Sequence, residues 1–172
     1  VGKIDWFDLG NSPREYVEDA VSGKTVVFTT TNGTKALQAC VGADRVLIGG
    51  FVNLSTIAEA VTEEQRVHLL CAGTEDSITR EDVLLAGALA EQLVLGQLSL
   101  SLNDQAQLAI EAWQAATGGN REPQTIAVCL KATAGGRNLA DIGHANDIPV
   151  AAAVDMVPVL PELNCSDWRI RL

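Results

Sequence analysis

One pattern of hydrophobic and polar positions occurs three times in the first half of the chain. A short apolar run is followed by a turn and then by apolar residues at helical spacing; the runs are residues 25–29, 45–48 and 66–71. Continuous apolar strands that alternate with helices are typical of a parallel sheet covered on both faces. The pattern predicts an α/β fold with three layers, α/β/α, and a mostly parallel or mixed sheet, in one domain over residues 1–172.

The second half of the chain has weaker signals. Asn103 is placed to cap a helix that runs through Trp113, and a further helix is predicted over residues 124–132. One or two helical turns are predicted over 137–142. The apolar run 148–154 reads as a late strand, since its proline is tolerated at the start or edge of a strand.

Charge and composition exclude several classes of function. The 172 residues contain 12 basic and 22 acidic residues, a formal charge of −10, which disfavours nucleic acid and anionic membrane partners. No apolar run approaches the roughly 18 residues of a membrane helix. Four scattered cysteines, without a CxxC pair and among apolar neighbours, indicate reduced, buried thiols in a cytoplasmic protein. The chain opens on valine without a signal-peptide pattern, so we expect a piece of a longer protein.

The residues after the predicted strands suit an anionic ligand, because ligands of open α/β sheets bind beyond the carboxyl ends of the strands. Hydroxyl, amide and glycine residues follow the first and third strands: Thr30, Thr31, Asn32, Gly33, Thr34, Gly73 and Thr74. Turn chemistry alone explains any one such loop. Loops of this composition after all three strands, including Gly49-Gly50 after the second, favour a phosphate-type ligand, a small anionic metabolite.

Carboxylates could complete a site for phosphoryl transfer, since Mg²⁺ takes carboxylate and phosphate oxygens. The candidates are Asp8, Glu81, Asp82 and Asp147, although Glu81 and Asp82 also suit the dipole of a helix that begins there. Arg137, after a glycine pair, could fork onto an anion or lie on the surface. The chain contains no Walker loop, GxGxxG, GxSxG or zinc-type histidine pair, which removes the usual support for kinases, dehydrogenases and serine hydrolases.

Five segments together resemble one family. They are Phe7–Pro13, Gly23-Lys24, Thr29–Thr34, Cys71–Thr74, and Glu81-Asp82 with Ala86-Gly87-Ala88. In composition and order they resemble the 2-phosphosulfolactate phosphatases, the ComB-like family. The resemblance implies a Mg²⁺-dependent hydrolase that converts 2-phosphosulfolactate, or a related 2-hydroxy acid phosphate, to sulfolactate and phosphate in coenzyme M biosynthesis. A metabolite-binding module without catalytic activity is the alternative on the same scaffold.

The resemblance also implies roles for individual residues. Asp8, Glu81 and Asp82 are the expected catalytic residues and metal ligands. Binding of the substrate is expected from Asn11, Ser12, Thr30, Thr31, Asn32, Gly33, Thr34, Gly73, Thr74 and Arg137. Two routes stay open: direct attack by water, and a phosphoenzyme formed on an aspartate or on Cys71. The substrate among 2-hydroxy acid phosphates also stays open.

This chain departs from the family pattern at its start. Family members begin upstream with a strand that carries an Asp-Val-Leu-Arg-Ala-Thr-type motif, which is absent from these 172 residues. We therefore expect that this chain is the C-terminal portion of a longer one and lacks strands of its sheet. We also expect it to be inactive alone, and to pair with that segment or to form a homo-oligomer.

Overall fold

A computed structural model describes residues 4–96 and 100–172. Its described portion contains eight α-helices, two 3₁₀ turns (Pro13–Glu15 and Phe51–Asn53) and two short strands. The helices are α1 (Glu18–Val21), α2 (Gly33–Ala39), α3 (Leu54–Ala60), α4 (Arg80–Gly96), α5 (Asp104–Thr117), α6 (Pro123–Lys131), α7 (Ala134–Asp141) and α8 (Asp147–Ala151). Strands β1 (Glu162–Asn164) and β2 (Arg169–Arg171) pair antiparallel, with Leu163 opposite Ile170. No helix of the described residues is long and apolar enough to cross a membrane.

Local capping explains where several helices begin and end. The Asn103 side chain accepts a hydrogen bond from Ala106 N at 2.9 Å, and α5 ends at Gly118 with a left-handed φ of 63°. Pro123 occupies the first turn of α6, where its missing N–H costs nothing. The Thr133 hydroxyl accepts from Gly136 N at 3.0 Å and starts α7. The predicted helices after Asn103 and over 124–132 are therefore confirmed.

The core lies between α4, α5 and the helices on either side of them. Trp113 is fully buried, together with Leu54, Leu84 and Ile126, and its ring centroid lies 5.9 Å from that of Phe51. Gly87 permits the close approach of α4 and α5, because a Cβ there would overlap the carbonyl oxygen of Ala109. Burial of these large side chains against two long helices holds the N-terminal end of α4 in place.

The predicted parallel sheet in three layers is not among the described residues. Segment 45–48 lies antiparallel to β1, since Leu163 N donates to Val46 O at 2.8 Å. Residues 25–29 and 66–71 belong to no helix or strand in the described structure. A strand needs hydrogen-bonding partners along its edge, and local sequence cannot supply them. The described chain is an α/β protein that is mostly helical, with one small antiparallel sheet.

The predicted late strand over 148–154 is wrong. Residues Asp147–Ala151 form helix α8, and Ile148 is buried in the core. Pro149 is the third residue of α8, within the first turn, where proline is compatible with a helix. A short apolar run cannot by itself distinguish a buried strand from a short buried helix.

Candidate functional site

The N-terminal end of α4 meets the loop that precedes it. Asp82 Oδ2 accepts a hydrogen bond from Gly73 N at 2.7 Å. Gly73 has a φ of +65°, and a Cβ there would lie 2.6 Å from the carbonyl oxygen of Ser77. Thr74 and Ser77 exchange backbone hydrogen bonds at 3.1 and 2.9 Å and close the turn between them. Glycine is therefore required at residue 73, and the turn fixes the Asp82 carboxylate.

The hydroxyl-rich loop lies against this turn. Asn32 Oδ1 accepts from Glu75 N at 3.3 Å, so two of the loops predicted to converge are in contact. Within the first loop, Thr34 N donates to Thr30 Oγ1 at 3.1 Å, and Thr30 N donates to Thr34 Oγ1 at 3.3 Å. Each hydroxyl accepts in this pair, so its own proton is not used there and can be donated to a ligand oxygen.

Gly33, Thr31 and Thr74 complete the predicted anion loops. Gly33 begins α2, and a Cβ there would lie 2.8 Å from Thr30 Oγ1. Thr31 and Thr74 are exposed, whereas Thr30, Asn32 and Thr34 are half-buried. The loops thus offer both half-buried and exposed donors.

Glu81 occupies a different environment from its neighbour. Among the described residues, its Oε2 is a buried side-chain oxygen with no hydrogen-bond partner. A Cβ on Gly135 in α7 would overlap Glu81 Oε1, so the glycine provides the space that the carboxylate occupies. Leaving a buried carboxylate oxygen unpaired is costly, and a cation, a proton or a ligand donor would relieve that cost.

A shallow cavity of about 200 Å³ lies in front of these two carboxylates. It is lined by residues of three helices and of one 3₁₀ turn with the glycine that precedes it: Gly50, Phe51, Glu81, Asp82, Leu85, Leu130 and Ala151. A larger cavity of about 600 Å³ lies beside the C-terminal hairpin, and none of the predicted site residues lines it. The smaller cavity is therefore the one associated with the candidate chemistry.

The donor set near this cavity fits a divalent cation only with help from a ligand. The described residues contain no group of three or more His, Cys, Asp or Glu side chains arranged to hold a metal ion. Glu81 and Asp82 are adjacent in sequence, and the unpaired oxygen of Glu81 suits a cation. Mg²⁺ commonly takes one or two protein carboxylates and completes its shell with water and phosphate oxygens. The residues present fit that mode.

The loop of residues 8–12 is attached elsewhere, to helix α8. Ser12 Oγ donates to Asp147 Oδ1 at 2.8 Å, and both residues are buried. Asp8 and Asn11 in this loop are exposed. Ser12 also begins the 3₁₀ turn at Pro13, as its Ser-Pro sequence predicts. No hydrogen bond of Ser12 joins it to the cluster around Asp82 in the described structure.

Arg137 lies on α7 and is directed to the backbone. Its Nη1 donates to the Ala132 carbonyl oxygen at 2.6 Å, and the residue is exposed. This bond caps the C-terminal end of α6, where a cation also complements the helix dipole. To bind a ligand anion, the guanidinium would use its remaining donors or exchange this partner.

Cys71 is exposed, which corrects the expectation of a buried thiol. Although the residue is exposed, neighbouring protein atoms partly shield its thiol from water. Partial desolvation raises the pKa of the Cys71 thiol, and the nearby Asp82 carboxylate raises it further. Both effects keep the thiol protonated, which opposes its use as a nucleophile.

Gly135 is a part of this region that the sequence indicates only weakly. The glycine pair 135–136 reads as a break, yet both residues lie inside α7. Gly135 makes room for Glu81, and Gly136 packs against the Leu130 carbonyl. The signal available in the sequence is a pair of glycines within a helical stretch, which often marks close packing.

Comparison with known proteins gives a consistent result. The family model described as 2-phosphosulpholactate phosphatase matches residues 2–165. A protein of Caldanaerobacter subterraneus subsp. tengcongensis named "Probable 2-phosphosulfolactate phosphatase" is 33% identical over 162 residues, 94% of this chain and 64% of that relative. One of the same name from Symbiobacterium thermophilum is 33% identical over 159 residues, 92% of this chain and 66% of the relative. The chain thus spans just under two thirds of the length of these relatives.

Proposed function

Because this chain belongs to the 2-phosphosulfolactate phosphatase family, we propose that it is part of a phosphoric monoester hydrolase. Its proposed substrate is 2-phosphosulfolactate, the compound in the names of the relatives, or a related 2-hydroxy acid phosphate. The observation that carries this proposal is the unpaired, buried oxygen of Glu81, a residue that lines a cavity together with Asp82. Asp82 in turn accepts a hydrogen bond from the Gly73 loop.

Each part of the site has a proposed task in phosphate ester hydrolysis. The hydroxyls of Thr30 and Thr34 and the amide of Asn32 would donate hydrogen bonds to the phosphate oxygens. Thr31, Gly33, Gly73 and Thr74 belong to the same loops, and Asn11 and Arg137 are further proposed substrate-binding residues. The hydroxyl of Ser12, predicted from the sequence to bind substrate, is donated to Asp147 instead. Such donors stabilise the charge on the transferring phosphoryl group.

The proposed cofactor is Mg²⁺, held by Glu81 and Asp82. Asp8, which the described structure does not group with these two carboxylates, is the proposed third ligand in the longer protein. When bound, it would neutralise phosphate charge and position the ester. Gly73 N fixes one oxygen of Asp82 and orients that carboxylate. Because its pKa is raised, the Cys71 thiol stays protonated, which disfavours a phosphocysteine intermediate. We propose that the phosphoryl group passes to water either directly or through an aspartate.

We also propose that the longer protein completes the sheet in three layers. Residues 25–29 and 66–71 belong to no helix or strand in the described structure, and they expose apolar side chains, with Val27 82% and Leu70 55% accessible. These two segments lead directly into the Thr30 and Gly73 loops. A strand placed beside them would bury the apolar groups and fix both loops. This single domain of residues 1–172 would then be inactive without that strand.

Substitutions that remove the charge of a carboxylate but keep its shape test the site most simply. Glu81→Gln and Asp82→Asn in the full-length protein should each lower kcat by at least about 100-fold, whereas Glu111→Gln on the exposed side of α5 should retain wild-type kcat. Phosphate release from 2-phosphosulfolactate is the assay, and urea unfolding checks that the variants are folded. Wild-type kcat in both carboxylate variants would remove the proposed site. Ligand binding without turnover in the wild type would indicate a metabolite-binding module.

A further inference from the structure

Asp147 is a buried carboxylate that the proposed mechanism does not use. Only 6% of the residue is accessible, and its partner Ser12 is 7% accessible. Ser12 Oγ donates to Asp147 Oδ1 at 2.8 Å, although the two residues are 135 positions apart in the chain. A buried hydrogen bond to a charged acceptor is among the stronger single contacts in a protein. This contact attaches the loop of residues 8–12 to helix α8.

The second carboxylate oxygen also has a protein partner. His144 Nδ1 lies 3.4 Å from Asp147 Oδ2. The backbone holds this pair in place, because Asp147 N donates to His144 O at 3.0 Å and His144 N donates to Leu139 O at 2.7 Å. Ser12 therefore holds one carboxylate oxygen by a hydrogen bond, and His144 lies beside the other. The Asp147 carboxylate thus binds Ser12 and has neighbours at both oxygens, whereas Glu81 has a buried oxygen without a hydrogen-bond partner.

Helix α8 connects this contact to the cavity. Its first residue, Asp147, holds Ser12, and its last residue, Ala151, lines the cavity with Glu81 and Asp82. The loop has its own internal contacts: Glu15 Oε2 accepts from Gly10 N at 2.8 Å, and Tyr16 donates to Gly10 O at 2.8 Å. These set the shape of the loop, whereas the bond from Ser12 to Asp147 sets its location on the protein.

We propose that Asp147 is a positioning residue that holds the 8–12 loop, with Asp8 and Asn11, in register with the cavity at Glu81. The Ser12 hydroxyl then serves as the anchor of the loop, since its single proton is donated to Asp147. This inference rests on the proposed phosphatase function for its consequence on turnover. The anchoring itself does not depend on that function.

The test compares this Ser–Asp contact with a matched one elsewhere. Ser55 Oγ donates to Asp155 Oδ2 at 2.6 Å and joins residues 100 positions apart, and neither residue lines the cavity. In the full-length protein, Ser12→Ala should lower kcat by up to about 100-fold, because a misplacement of about 1 Å has that effect. Amide hydrogen exchange in residues 8–12 should become faster. Ser55→Ala should retain kcat and leave exchange in that loop unchanged.

Two further variants separate positioning from loss of stability. Asp147→Asn keeps an oxygen that can accept from Ser12 and should restore most of the kcat that Asp147→Ala loses. The double variant Ser12→Ala with Asp147→Ala should be no slower than the worse single variant, since both remove one contact. The proposal is overturned if Ser12→Ala keeps wild-type kcat and exchange, or if Ser12→Ala and Ser55→Ala lose kcat equally. If the wild type lacks turnover, the proposed function fails, and exchange in residues 8–12 alone decides whether Asp147 anchors the loop.

Discussion

Replacing Gly135 with alanine should displace the Glu81 carboxylate without changing any charged group. Gly135 lies in the first turn of α7, and a Cβ built there overlaps Glu81 Oε1. The overlapping atoms belong to the end of a flexible side chain, so the carboxylate can retreat while the helix stays in place. We expect a displacement of about 1 Å, enough to lower kcat by about 100-fold if Glu81 acts as proposed.

Unlike kcat, the free energy of unfolding of this variant should not fall. Alanine is favoured over glycine in a helix by up to about 1 kcal/mol, and the displaced carboxylate would regain contact with water. The free energy of unfolding of Gly135→Ala should therefore equal or slightly exceed that of the wild type. An enzyme that becomes slower without becoming less stable is the signature of a displaced functional group.

Phosphate release and urea unfolding, measured on the same preparations, check this prediction. Gly42→Ala is the matched control, because a Cβ there meets nothing within 4 Å, and it should retain kcat. Gly136→Ala is the opposite case: its Cβ would overlap the backbone carbonyl of Leu130 and should destabilise the protein. A Gly135→Ala variant with wild-type kcat would refute the reasoning that the position of the Glu81 carboxylate matters.

Three other predictions concern the rest of the structure. Partial desolvation, and after it the Asp82 carboxylate, raise the pKa of the Cys71 thiol, so alkylation of Cys71 by iodoacetamide should begin at a higher pH than for an ordinary thiol. Asp82→Asn should shift the pH profile of alkylation to lower pH, and a profile equal to that of the wild type would contradict an effect of Asp82 on the thiol. Gly87→Ala would push α4 away from the Ala109 carbonyl and should lower the free energy of unfolding, measured by urea unfolding, by about 1–3 kcal/mol or more. Gly96→Ala at the end of α4 is the control and should have little effect, because a Cβ there meets nothing within 4 Å. Asn53→Ala removes three hydrogen bonds, from Gly50 N and to Ile48 O and Val159 O, and should cost at least about 2 kcal/mol; a loss below 0.5 kcal/mol, about the effect of an ordinary surface substitution, would contradict the importance of this buried amide.

Helices could be predicted from the sequence because their signals are local. Asn103 and Gly118 bound α5, and the Ser12-Pro13 pair begins a 3₁₀ turn, each through contacts with residues a few positions away. The sheet could not be settled in the same way, since a strand depends on partners that are distant in sequence. Segment 66–71 has the composition of a buried strand and is largely exposed in the described structure.

The candidate site shows the same division. The position of Gly73 and Asp82 after a predicted strand and at a helix start indicates that they belong to a site, and the structure joins them through a hydrogen bond. The attachment of Ser12 to Asp147 has no local signal, because it depends on how α8 packs beside the first 3₁₀ turn. The role of Gly135 is likewise visible only once Glu81 is seen to fill the space beside it.

Release of phosphate from 2-phosphosulfolactate tests the central proposal most directly. The full-length protein and residues 1–172 should be assayed side by side, each with Mg²⁺ and with EDTA. We predict turnover only by the full-length protein with Mg²⁺, with EDTA abolishing it and residues 1–172 inactive under both conditions. Failure of the full-length protein to release phosphate while it binds 2-phosphosulfolactate would contradict the proposed hydrolase and its assignment of Glu81 and Asp82.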